Sequence, residues 1–167
     1  PYIYSNRVVW VDERNRNPED FSGNADIYMY DLSTKKETQI TNNEGYPWDP
    51  SIYGDKIVWT ICPYGDFSDL YDICMYDIST KKEKMITYNG YSYYPAIYGN
   101  KIVWEDYRNE YADIYMYDIS TSKETRITTN ESDRMAPAIY GDRIVWMDSR
   151  NGNWDIYMYD LSTKKET

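Results

Sequence analysis

Three segments of the form Asp-x-Arg-Asn, at residues 12–15, 106–109 and 148–151, hold the side chains whose types and spacing could do chemistry. An Asp two residues before an Arg can clamp it as an ion pair inside a short loop, with the Asn closing a turn. The competing use is calcium, which takes hard carboxylate and amide oxygens. No Asp-x-Asp-x-Asp-Gly loop accompanies these segments, so the stapled loop is the simpler reading and no metal is assigned. The corresponding stretch at 63–67, Pro-Tyr-Gly-Asp-Phe, breaks the pattern, so the loops are not needed in every copy.

Both cysteines flank that divergent stretch. Cys62 lies three residues past Trp59, and Cys74 takes the position expected to pair across from that Trp. Opposite faces and a three-residue offset argue against a regular disulfide. A Cys pair without His is no zinc site. The chain has no His at all, which removes the imidazole base, the His metal ligand and the usual triad. Paired carboxylates for glycoside hydrolysis are the remaining catalytic route. Crowded, solvated acids are the plainer account of them, so neither enzymatic activity nor a cofactor is expected.

Binding is better supported. Of 21 Tyr and 6 Trp, the residues Tyr46, Trp48, Tyr88, Tyr91, Tyr93 and Tyr94 fall in connections between repeats, among small and polar neighbours. Exposed Tyr and Trp make hot spots for proteins and stacking platforms for sugars. These six are the candidate binding residues, for a protein or a glycan partner. A purely structural role needs neither. One glycosylation sequon, Asn130-Glu131-Ser132, lies in another such connection.

The elements that must position these residues are short strands. Asp-Ile-Tyr-Met-Tyr-Asp occurs at Asp26–Asp31, Asp113–Asp118 and Asp155–Asp160, and at Asp72–Asp77 with Cys74 for the first Tyr. Alternation puts Ile and Met on one face and Tyr on the other, so both faces need cover. Upstream of each copy runs an Ile-Tyr-(Gly/Ser)-(Asp/Asn)-(Lys/Arg)-(Ile/Val)-Val-Trp segment, with a Pro two residues before it. Trp10, Trp59, Trp104 and Trp146 are spaced by 49, 45 and 42 residues. Four short strands in a period of roughly 40–45 residues predict propeller blades. In the third unit strand A is expected at 95–98, B at 101–106, C at 113–118 and D near 124–128, with a tight turn at Gly99-Asn100. The fold class is all-β, with units at 1–49, 50–94, 95–136 and 137–167.

The string Pro-x-x-x-Gly-Asp-x-Ile-Val-Trp, then Asp-Ile-Tyr-Met-Tyr-Asp, then Glu-Thr-x-Ile-Thr resembles the TolB-type, WD-repeat-like β-propeller repeat. It is most similar to the tandem copies of archaeal cell-surface (surface-layer) proteins. The match covers essentially the whole chain, with Ile-Tyr-Gly-Asp where that repeat has Ser-Pro-Asp-Gly. The resemblance implies a β-propeller of four-stranded antiparallel blades, the last truncated, acting as a non-catalytic interaction or scaffold module at the extracellular cell surface. Hydrolases with such propellers carry a separate catalytic domain, and related lyases use histidines that this chain lacks.

Net charge is −10, which argues against nucleic acid, and no run is long enough to span a membrane. In a propeller the D–A and B–C loops share one end of the blades. Assigned by loop, that end holds 18 acids against five bases (Arg14, Arg16, Arg108, Arg134 and Arg150), the other end ten acids and 13 bases. The acidic, Tyr/Trp-rich end is therefore the expected interaction face. The fourth unit reaches Thr167 where strand D should begin, so closure is expected to draw on further blades of a longer protein, then on a second copy, then on a strained four-blade ring.

Overall fold

The computed structural model describes residues 1–15, 25–42, 45–62 and 70–167. These residues form sixteen strands and no helix. The first sheet is β1 (Tyr2–Tyr4), β2 (Arg7–Asp12), β3 (Asp26–Asp31) and β4 (Lys36–Gln39). The second is β5 (Tyr46–Tyr53), β6 (Lys56–Cys62), β7 (Asp72–Asp77) and β8 (Lys82–Met85). The third is β9 (Ser92–Tyr98), β10 (Lys101–Asp106), β11 (Asp113–Asp118) and β12 (Lys123–Arg126). The fourth is β13 (Arg134–Tyr140), β14 (Arg143–Asp148), β15 (Asp155–Asp160) and β16 (Lys165–Glu166). Each is an antiparallel meander in chain order. The fourth strand of the last blade is two residues long.

The chain divides into two compact units, residues 1–90 and 91–167. In the first, Val9, Ile27 and Met29 of one blade pack against Ile52, Ile57, Trp59, Ile61 and Cys74 of the next. In the second, Val103, Ile114 and Met116 pack against Ile144 and Trp146. Each large apolar side chain so buried contributes on the order of 2 kcal/mol. The Ile/Met face of the hexamer is thus the face that one blade turns to its neighbour.

Both ends of the hexamer are anchored by side chains. The last Asp caps the C–D turn: Asp31 Oδ1 accepts the amides of Ser33 at 2.9 Å and Thr34 at 3.0 Å, and Asp77, Asp118 and Asp160 repeat this. In the first three blades the first Asp is buried against a Thr just past strand D. Thr41 donates to Asp26 at 3.1 Å while accepting the Ile27 amide at 2.9 Å. Thr87 and Thr128 do the same for Asp72 and Asp113. This bond keeps a buried amide and a buried carboxylate satisfied together.

Strands B and C of the third unit lie where the sequence predicts, but strand A starts earlier. β9 opens at Ser92, three residues before Pro95, and β5 and β13 likewise open ahead of Pro50 and Pro137. The chain crosses each Pro by a bulge, with register shifts between Trp48 and Ser51, opposite Val103 to Glu105, and between Met135 and Ala138. The residue before each Pro takes a positive φ: 47° at Asp49, 52° at Tyr94 and 52° at Ala136. A Pro has no amide to lose from the ladder, so a bulge can hold it inside a strand. Consequently Tyr46, Trp48, Tyr93 and Tyr94 lie in strands, not in connections; only Tyr88 and Tyr91 lie outside them.

Candidate functional site

The Asp-x-Arg-Asn segments are staples. Asp12 accepts from Arg14 Nη2 at 2.5 Å and from the Trp10 indole at 3.0 Å. Arg14 reaches on to Glu37 at 2.7 Å and lies over the Tyr28 ring, 4.3 Å from its centroid. Asn15 donates to Asp26 at 3.1 Å. The third and fourth blades repeat the set with Asp106, Arg108 and Tyr115, and with Asp148, Arg150 and Tyr157. In each of these three blades the carboxylate is thus paired with the guanidinium two residues on.

The second blade lacks the set as a whole. Ile61 stands for the Asp, Pro63 for the Arg and Cys74 for the Tyr. With no carboxylate two residues on, the buried Trp59 indole N–H has no partner among the described residues. The loss is collective because the Arg needs both its carboxylate and its ring. Cys62 and Cys74 are not joined by a disulfide, and the Cys74 thiol donates to Glu83 at 3.4 Å. Burial, aided by Glu83, pushes that thiol far above its usual range and keeps it protonated. The 63–67 stretch itself lies outside the described residues.

Several of the acids assigned by loop to the acidic end do not face solvent. Asp26, Asp72, Glu105, Asp106, Asp113 and Asp148 are buried. Arg134, counted as a surface base, is fully buried between Asp113 and Asp148, at 3.0 Å from each. Glu105 accepts the Ala136 amide at 2.6 Å, which holds the bulge of the fourth blade. Arg16, Glu19, Asp20, Glu44, Asp66 and Asp69 lie outside the described residues. Of the acids so assigned, Glu13, Glu110, Glu131, Asp133 and Asp155 are exposed.

Two of the six candidate aromatics share a cleft in the first unit. Its volume is about 630 Å³, and among the described residues it is lined by Tyr46, Trp48, Asp49, Tyr71, Glu13 and apolar side chains including Cys62. Trp48 is 51% exposed, and its ring meets Tyr71 edge-on at 6.5 Å. Neither Tyr71 nor Glu13 was singled out in the sequence, because nothing local distinguishes them. Tyr88 is 80% exposed on the link after β8. In the second unit Tyr93 is half-buried and meets Tyr107 edge-on at 5.4 Å, while Tyr91 and Tyr94 are exposed. Burial and the neighbouring Glu105 raise the Tyr107 hydroxyl well above its usual pKa, so it stays a neutral donor to Glu105.

Among solved structures, TolB from Acinetobacter baumannii is similar with a TM-score of 0.74 at 22% identity, over 97% of this chain and 40% of that one. The β-propeller domain of the Trilobed protease from Pyrococcus furiosus is similar with a TM-score of 0.70 at 16% identity, over 100% of this chain and 54% of that one. The fold is that of a TolB-like β-propeller. An acylaminoacyl peptidase from Pyrococcus horikoshii also matches, with a TM-score of 0.73 at 15% identity over 99% of this chain. This TolB-like propeller spans 40%, 54% and 26% of the lengths of those three chains. Likeness at such identity is a likeness of fold. No protein-family model and no curated protein matches the chain.

Proposed function

We propose that this TolB-like propeller is a non-catalytic interaction module of the extracellular cell surface, taking its partner on the blade end that carries Tyr46, Trp48, Tyr88, Tyr91, Tyr93 and Tyr94. The observation that carries the reading is the cleft beside the half-exposed Trp48, lined by aromatic rings and two carboxylates. Large rings left in water beside a concave wall are what protein hot spots use. The repeat's resemblance to archaeal surface-layer sequences supports the location. The absence of His from the sequence supports a non-catalytic role.

A glycan is the second reading, favoured by the same half-exposed indole, which offers a flat apolar face for a sugar ring. The test compares two double variants for binding to surface extracts and to a glycan array. Trp48→Ala with Tyr91→Ala is expected to weaken binding at least tenfold, and Lys35→Ala with Lys81→Ala to leave it intact. Loss only in the Lys pair would put the interaction on the opposite face.

A further inference from the structure

We propose that the cleft of the first unit is a receptor for a cationic side chain, a guanidinium or ammonium presented by a partner protein. This rests on the reading that the aromatic end binds a protein, and it names what that protein must bring. The described walls combine the rings of Tyr46, Trp48 and Tyr71 with the carboxylates of Glu13 and Asp49, and include no Lys or Arg. Trp48 and Tyr71 meet at an interplanar angle of 83°, which forms a corner of two ring systems rather than a flat platform. Ring faces attract cations, Trp most strongly, and carboxylates add directly to that attraction.

Asp49 is held there by the bulge before Pro50, at a φ of 47° and partly buried. Burial keeps its carboxyl above the usual range, with the Pro1 ammonium acting in the opposite sense. A cation in the cleft would recover the cost of that buried charge. The chain already uses the same pairing internally, with Arg14, Arg108 and Arg150 each within 4.3 Å of a Tyr ring centroid and each paired to a carboxylate. A sugar could donate its hydroxyls to these carboxylates, but it brings no positive charge to balance them, as a guanidinium or ammonium does. The volume of about 630 Å³ takes an extended Arg or Lys side chain together with part of its backbone.

The probe is the peptide acetyl-Gly-Arg-Gly-amide, followed by the indole N–H resonance of Trp48, assigned through Trp48→Phe. Its citrulline counterpart has nearly the same shape without the charge, and chitotriose represents a glycan. The Arg peptide is expected to shift the Trp48 resonance saturably in the millimolar range, and the citrulline peptide to bind at least tenfold more weakly. Asp49→Asn, which suits the positive φ, is expected to weaken the Arg peptide about fivefold, as is Glu13→Gln. Equal binding of the citrulline peptide, a shift only with chitotriose, or no shift with any probe would overturn the proposal. If partner capture still depends on Trp48 and Tyr91 while Asp49→Asn has no effect, the interaction face stands and the cation site alone falls.

Discussion

Arg134 donates through Nε to Asp148 at 3.0 Å, and neither side chain reaches solvent. Its Nη1 donates to Asp113 of the preceding blade, also at 3.0 Å, so one guanidinium ties the third blade to the fourth. Nη2 has no partner. Removing one member of a buried ionic group leaves the others desolvated and costs about 3 kcal/mol or more. Arg134→Ala is therefore expected to lower stability by about that amount in urea unfolding. Arg134→Lys should recover only part, because an ammonium cannot span both carboxylates as a fork does. An Ala variant within about 0.5 kcal/mol of the parent, far below that cost, would show that the pair carries no net weight.

The indoles of Trp104 and Trp59 are both fully buried but differently satisfied. Trp104 donates to Asp106 at 3.0 Å, while Trp59 has Ile61 where the acceptor would be and finds no partner among the described residues. Replacing each by Phe removes a similar apolar volume. Trp104→Phe additionally strips a bond from a buried carboxylate, at about 1–2 kcal/mol. The two thermal midpoints should separate in that order, and coincident midpoints would contradict the assigned bond.

Thr128 joins the end of strand D to the start of strand C by donating a hydrogen bond to Asp113 and accepting one from the Ile114 amide. Thr128→Val keeps the shape and abolishes both bonds, for an expected cost of about 1–3 kcal/mol. Thr128→Ser should retain most of the stability. Hydrogen exchange at the Ile114 amide is the direct measurement, with faster exchange in Val than in Ser.

Acid should unfold this propeller through the staple carboxylates. The Arg14 side chain, then the Trp10 indole, hold Asp12 below its usual range. For Asp106 and Asp148 burial opposes ionisation, and the Arg two residues on together with the Trp indole outweigh it. A carboxyl whose folded pKa lies below its unfolded value stabilises the fold above that unfolded value, and this is lost as pH falls through the folded pKa. Urea midpoints are thus expected to be flat, as far as these groups go, above about pH 5 and to drop steadily below about pH 4. Asp148→Asn should lower the plateau and flatten part of the acid limb.

Equivalent isoleucines differ sharply in exposure. Ile27 and Ile114 are fully buried, whereas Ile156 is 71% exposed; Ile52 and Ile97 are 6% exposed, whereas Ile3 is 65% exposed. Further blades, or a second copy, would cover faces of this kind. Light scattering on the purified chain is expected to show mass rising with concentration. Ile156→Lys, with Ile3→Lys alongside, should return it to one chain. A monomer at all concentrations would rule out the second copy.

The sequence by itself determined what local chemistry controls. The hexamer gave strand C its ends, because its two Asp are hydrogen-bonded within a few residues or by the paired strand. Gly54, Gly99 and Gly141 marked the A–B turns, where φ is 57–59°, and the Asp-x-Arg-Asn loops read correctly as staples. Tertiary structure alone decided the rest. The bulges that draw Trp48 and Tyr94 into strands depend on how the ladder accommodates a Pro, and a Pro read locally ends a strand. Arg134 looked like any exposed loop base until packing of the fourth blade on the third placed it between two carboxylates, 21 residues from one and 14 from the other. The cleft gathers Glu13, Trp48 and Tyr71 from loops and strands far apart in sequence, and such long-range contacts leave no periodicity along the chain to read.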